Sequence, residues 1–227
     1  MQRRRFTNTV LAAAGTLLAS GGGRAASVSD ADAASGMRAA LERGAGAAVD
    51  LLGRQDGFLG NPKVRIPLPG YLKDAAKLAK YTGQQKQVDE LVTAMNRAAE
   101  AAVPQARALL VSAVKSMSVD DARRIVSGGN DSVTKFFAAK TRKPLGEKFL
   151  PIVTRETEKV DLAARFNAVA GKAAGMGLVK GDDASIERYV TGKALDGLYF
   201  MIAEEEKKIR RDPIGTGSAL LAKVFGK

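Results

Sequence analysis

The sequence predicts an all-α fold: a single-domain helical bundle with a proline-rich extended arm, preceded by a cleavable signal peptide. Three observations predict the helices. Across Gln87–Met117 the apolar residues Val88, Leu91, Val92, Met95, Ala98, Ala99 and Ala102, then Ala106, Leu109, Leu110, Ala113, Val114 and Met117, recur at i, i+3, i+4 and i+7. That spacing puts one face of a helix in a core. Composition agrees: hydrophobic residues make up 45% of the chain while aromatics are only 5% and tryptophan is absent, so alanine, the best helix former, replaces bulk. Finally, no segment alternates with period two for long enough to be a strand.

Residues 1–25 read as an address rather than as fold. Arg3, Arg4 and Arg5 form a basic head, Val10–Leu18 is an apolar run too short for a stable anchor, and Gly23-Arg24-Ala25 sets small residues around a cut after Ala25. Arg3-Arg4-Arg5-Phe6 resembles a twin-arginine export signal, with a general secretory signal as its rival. No cysteine stands at the cut, so a lipoprotein is excluded. The expected location is the periplasm or another exported compartment. The segment carries four arginines and no acid, leaving +8 of the formal +12 charge on residues 26–227. Acidic partners follow from that excess, whether an anionic ligand, a lipid surface or an envelope protein, and export argues against nucleic acid.

In the remaining chain, Ser29-Asp30-Ala31-Asp32 resembles a capping box ahead of a helix with Ala34, Met37, Leu41, Ala45, Ala48 and Leu52 on one side, stopped at Gly53. Gly57–Gly70 (GFLGNPKVRIPLPG) cannot be a helix, because three prolines and three glycines interrupt it. Phe58, Leu59, Val64, Ile66 and Leu68 make it an ordered arm across the helices: a strap closing the core, or a binding loop aiming Lys63 and Arg65 at an anion. Tyr71–Tyr81 reads as a short helix. Pro104 predicts a kink or break near Val103 in the central stripe. Arg97 and Glu100, at i and i+3, are expected to pair on its surface.

Ser118-Val119-Asp120-Asp121 starts another helix by capping-box logic. Gly128-Gly129 ends it, and Asn130-Asp131 caps the next. Pro144 suits the first turn of a helix that Pro151 kinks, and the pattern continues through Leu162 and Phe166. Asp182-Asp183 caps a last long helix, Ala184–Arg211. Its charged end pairs Glu204 with Lys208 and Glu206 with Arg210 on a solvated face. Leu220, Leu221, Val224 and Phe225 suggest an amphipathic tail.

Several runs together are specific. Gly57-Phe58-Leu59 with Asn61-Pro62 and Val64–Pro69 (VRIPLP), Ala94–Pro104 (AMNRAAEAAVP), Asp120–Arg123 with Gly128-Gly129, and Lys193–Arg210 (KALDGLYFMIAEEEKKIR) with Pro213 and Lys223–Gly226 resemble the bacterial family DUF4197. The resemblance spans about Ser29 to Gly226. It implies an exported helical protein, assigns no activity, and carries no catalytic residue across.

With neither histidine nor cysteine in the chain, disulfides, thiol catalysis, zinc sites and histidine-based acid–base work are excluded, and no cofactor or metal is expected. The expected function is a non-enzymatic binding or scaffolding module for an anionic or apolar ligand or an envelope partner. Its candidate ligand-binding residues are Lys63, Arg65, Arg97, Glu100, Lys193, Asp196 and Glu205. The alternative is a carboxylate-based, glycosidase-like hydrolase using Glu100 with Glu205 or Asp196.

Overall fold

Apolar stripes separated by glycine- and proline-rich breaks divide the chain into helices, as the periodicity predicts. The computed structural model describes residues 30–73, 76–77, 81–175 and 185–212. The signal peptide, the Ser29 cap, the Asp182-Asp183 cap, part of the Tyr71–Tyr81 helix and the C-terminal tail lie outside the described residues. Within them the fold is all helical, with no strand.

Helix α1 spans Asp30–Gly53 and buries Ala34, Met37, Leu41, Ala45, Ala48 and Leu52, the predicted stripe. Gly44 faces the C-terminal helix, and a Cβ there would make ordinary contact with Ile209 Cδ1 at 3.4 Å. The central stripe forms α2 (Gln85–Ala102) and α3 (Ala106–Lys115). Between them Val103–Gln105 is one 3-10 turn, the break that Pro104 predicts. The proline ring packs on α1, where a Cβ at Gly53 would come within 2.9 Å of Pro104 Cγ. Helix α4, Val119–Ser127, opens with a complete capping box: Asp121 N donates to Ser118 Oγ at 3.0 Å and Ser118 N donates to Asp121 Oδ2 at 3.1 Å. The Ser118 backbone N–H, then Arg124, holds the Asp121 carboxyl below its usual range.

Helix α5 corrects the sequence reading. It runs unbroken over Ser132–Thr157, with Pro144 and Pro151 both in its interior. The helix expected after the Asn130-Asp131 cap and the one expected to start at Pro144 are one, with Pro144 well inside it. Each proline frees the carbonyl four residues earlier, at Lys140 and Glu147, and both of those residues are exposed, so water can serve those oxygens. The helix buries Val133, Phe137, Leu145, Phe149 and Val153. Asp131 occupies its N-cap position but does not cap it; its carboxylate pairs with Lys135 instead, at 2.8 Å.

Helix α6, Asp161–Gly175, follows a turn at 158–160. Helix α7, Ile186–Arg211, is capped by Ser185, whose Oγ accepts from Arg188 N at 3.3 Å. It packs on α1, α2 and most extensively on α5. A buried hydrogen bond of 2.9 Å between Thr141 and the Tyr199 hydroxyl joins α5 to α7, and burial pushes the Tyr199 phenol up. Phe58, Leu91, Met95, Phe137, Phe149, Leu198 and Ile202 belong to one hydrophobic cluster, so arm and helices share a core.

Candidate functional site

The arm is built as a strap. Phe58, Val64, Ile66 and Leu68 are buried, alternating with exposed Lys63, Arg65 and Pro67. Backbone without regular structure must find hydrogen-bond partners elsewhere, and α2 supplies them. Asn96, fully buried, accepts from Ile66 N at 2.8 Å and donates to Ile66 O at 2.9 Å, pairing with one strap residue much as a neighbouring strand would. Its Nδ2 also donates to Val92 O at 2.8 Å within α2. Glu100 Oε1 accepts from Phe58 N at 3.0 Å and Leu59 N at 3.1 Å. Glu100 Oε2 pairs with Arg97 at 2.6 Å, and Arg97 reaches Asp56 at 2.8 Å. Glu100, foremost among these partners, raises the Arg97 guanidinium above its ordinary value. Asp56 holds φ +62, a left-handed turn that Asp tolerates better than most residues.

Helix α7 closes the other side. The Tyr189 hydroxyl donates to Pro67 O at 3.1 Å. At Gly197 a Cβ would stand 2.7 Å from Phe58 Cε1, so only glycine leaves room for the ring. Lys63 pairs with Glu204 at 3.0 Å on the outside. Lys207 first, then Lys63, lowers the Glu204 carboxyl to about 2.

Arg97 and Glu100 thus pair as predicted, but Glu100 is 5% exposed rather than solvated, because it serves the strap backbone. The remaining candidates gather elsewhere on α7. Asp196 accepts from Arg142 at 2.7 Å and lies 3.6 Å from Lys193. Arg142 and Lys193 each stand 5.8 Å from the ring centre of a tyrosine, Tyr199 and Tyr189. Glu205 pairs with Lys208 at 2.6 Å, so Lys208 does not serve Glu204 as the i, i+4 spacing suggested. Glu206 does pair with Arg210, at 2.8 Å, but it is buried: its Oε1 also faces Val133 N, and Arg210 donates to Ile125 O at 2.9 Å. This pair ties α7 to the α4–α5 junction. The seven candidates therefore do not form one site.

Two concave surfaces among the described residues gather charged groups. The larger, about 1020 Å³, lies between α2 and the α5–α6 turn, where Lys86, Arg97, Lys159 and Arg165 meet as many acids. One of those acids, Glu156, is held below the usual carboxylate range by Lys159. The smaller, about 340 Å³, is a groove between α5 and α7 lined by Arg142, Lys143, Glu147, Arg188, Thr191 and Leu195 among others. Its cations outnumber its acid. Among the described residues no three acids cluster to hold a metal ion, and no helix is long and apolar enough to cross a membrane.

Sequence reasoning missed Asn96, Thr191 and the burial of Glu206, whose pairing with Arg210 it did predict. Asn96 had a signal: it is a polar residue beside Met95 on an apolar stripe, and a buried amide needs partners. Glu206 and Thr191 had none, because a mixed charge run and a lone threonine look the same exposed or buried.

Three of the runs that carry the family resemblance meet in space at the strap: the Gly57–Pro69 segment, the Ala94–Pro104 run holding Asn96 and Glu100, and the Lys193–Arg210 run holding Gly197 and Glu204. A family match runs over residues 27–226, nearly all of the chain. The chain belongs to the DUF4197 family. DUF4197 is described as a protein of unknown function, so membership brings no activity or ligand. Neither a curated protein nor a solved structure matches the chain. What this DUF4197 chain offers chemically must come from its own surfaces.

Proposed function

We propose that this DUF4197 protein is an exported, non-enzymatic binding module of the cell envelope whose partners are anionic. The observation that carries the reading is the division of its charged groups. The acids nominated for catalysis are engaged in structural contacts: Glu100 under the strap, Asp196 with Arg142 and Lys193, Glu205 with Lys208. Cations, by contrast, predominate along the groove between α5 and α7. The net charge of +8 on residues 26–227 adds long-range attraction for polyanions.

Sedimentation of the purified protein with phosphatidylglycerol vesicles, and its retention on heparin, test the reading. Saturable binding that weakens as salt rises from about 0.05 to about 0.5 M is expected, because exposed charge pairs are screened over that range. Equal binding to phosphatidylcholine vesicles, or indifference to salt, would sink it. Export is tested separately: a mature N-terminus at Ala26 in protein recovered from the periplasmic fraction is expected, and an intact Met1 in the cytoplasmic fraction would exclude it.

A further inference from the structure

Charge is spread unevenly over the helices. Helix α5 holds six cations and two acids, a net of +4, and no other described helix nets more than +2. It thus carries half of the +8 on residues 26–227. Pairing divides its cations evenly. Lys135, Arg142 and Arg155 meet Asp131, Asp196 and Glu156. Lys140, Lys143 and Lys148 have no partner among the described residues. All three are exposed, as are Glu147 and Pro151. Lys140, Lys143, Glu147 and Pro151 follow one another at helical spacing, and Lys148 stands beside Glu147, so the five share the side of α5 turned away from buried Leu145 and Phe149. Glu147 is the one acid on that face.

We propose that this outward face of α5 is the surface by which the protein rests on an anionic bilayer, with Lys140, Lys143 and Lys148 at the headgroups. The inference rests on the anion-binding reading and gives it a surface and a partner. A small anion needs donors that converge on it. These lysines are instead strung along about 12 Å of helix axis, so they match charge laid out over a plane. Being unpaired, they meet that plane without first giving up a salt bridge. The prolines limit the depth of contact. Pro144 and Pro151 leave the carbonyls of Lys140 and Glu147 without helical donors, and hydrocarbon offers none. The face therefore lies at headgroup level, where water remains, and does not enter the acyl layer.

The test compares two triple variants that lose the same charge. Lys140→Gln, Lys143→Gln, Lys148→Gln clears the face, and Lys73→Gln, Lys115→Gln, Arg211→Gln removes three exposed cations elsewhere. Affinity for phosphatidylglycerol vesicles is measured by sedimentation. A lysine beside an anionic leaflet contributes about a fivefold gain in affinity, so the face variant should lose about thirty- to a hundredfold and the control variant less than about fivefold. A second readout does not depend on the triple variants. Because the chain has no tryptophan, a single introduced one reports its own surroundings. Pro151→Trp should shift its emission to shorter wavelength on these vesicles, whereas Ala108→Trp, exposed on α3, should not. Equal losses in the two triple variants, or no shift in Pro151→Trp, would overturn the docking face and leave the broader anion-binding reading standing. Salt-sensitive heparin retention without vesicle binding would do the same, and would make the partner a soluble polyanion. If heparin retention is absent as well, both fall.

Discussion

The strap side and the groove side of α7 treat polar groups in opposite ways. On the strap side, Tyr189 bonds Pro67 O, Glu204 meets Lys63, and Asn96 and Glu100 from α2 take up the backbone groups of Phe58, Leu59 and Ile66. On the groove side, the Thr191 hydroxyl is left without a partner among three cations. Both surfaces hold arginines, lysines and acids, so charge alone does not separate a structural surface from a binding one. Nor does an unpaired polar atom by itself: Glu206 Oε2 lacks a partner too, in the contact that ties α7 to the α4–α5 junction.

The contrast can be broken or sharpened by substitution. The largest effect is expected from Glu100→Ala, which strands two strap N–H groups and leaves Arg97 only Asp56; urea denaturation should show a loss of about 3–5 kcal/mol, and a loss under about 1 would mean the strap does not depend on this carboxylate. Asn96→Ala should cost about 2–4 kcal/mol in the same assay, because Ile66 then buries an N–H and a C=O without partners. Gly197→Ala forces Phe58 to move and should cost about 1–3 kcal/mol, with faster proteolysis of the strap as a second readout. The smallest effects belong to the outer pair. Lys63→Ala should leave the denaturation midpoint nearly unchanged, since exposed ion pairs contribute little. It should also flatten one part of the acid profile. The folded Glu204 carboxyl titrates at about 2, below the ordinary glutamate value of ~4.3, so its contribution is present above that ordinary value and fades as pH falls toward 2. An unchanged acid profile in Lys63→Ala would show that Lys207 alone sets that carboxyl.

The helices were legible because their apolar periodicity is independent of context: the stripes of α1, α2 and α3 are buried as spaced, and the break at Pro104 falls where its missing N–H requires. The Gly53 stop and the Ser118 capping box are local signals that tertiary structure leaves alone. Pro144 misled because a proline removes one hydrogen bond but does not dictate a helix boundary when the residue whose carbonyl it frees, Lys140, is exposed and Phe137 and Leu145 anchor the buried face. The strap reading followed from its apolar anchors, yet its polar clasp did not. Asn96 and Glu100 lie 30 and 42 residues from their partners Ile66 and Phe58, and no spacing rule reaches that far. The candidate residues lie on separate surfaces for a related reason: a sequence shows which residues are charged but not which of them pair, and most of these do.

The strap also sets an order of events during synthesis. Pro67 waits for Tyr189, 122 positions later, and Lys63 waits for Glu204, 141 positions later. A chain emerging from the ribosome therefore exposes Phe58 and Ile66 until α7 has been made, because contacts this distant in sequence form only after a long loop closes. Truncated translation products ending before α7 should be protease-sensitive within residues 57–70 and prone to associate through them, whereas release of the full polypeptide removes that vulnerability.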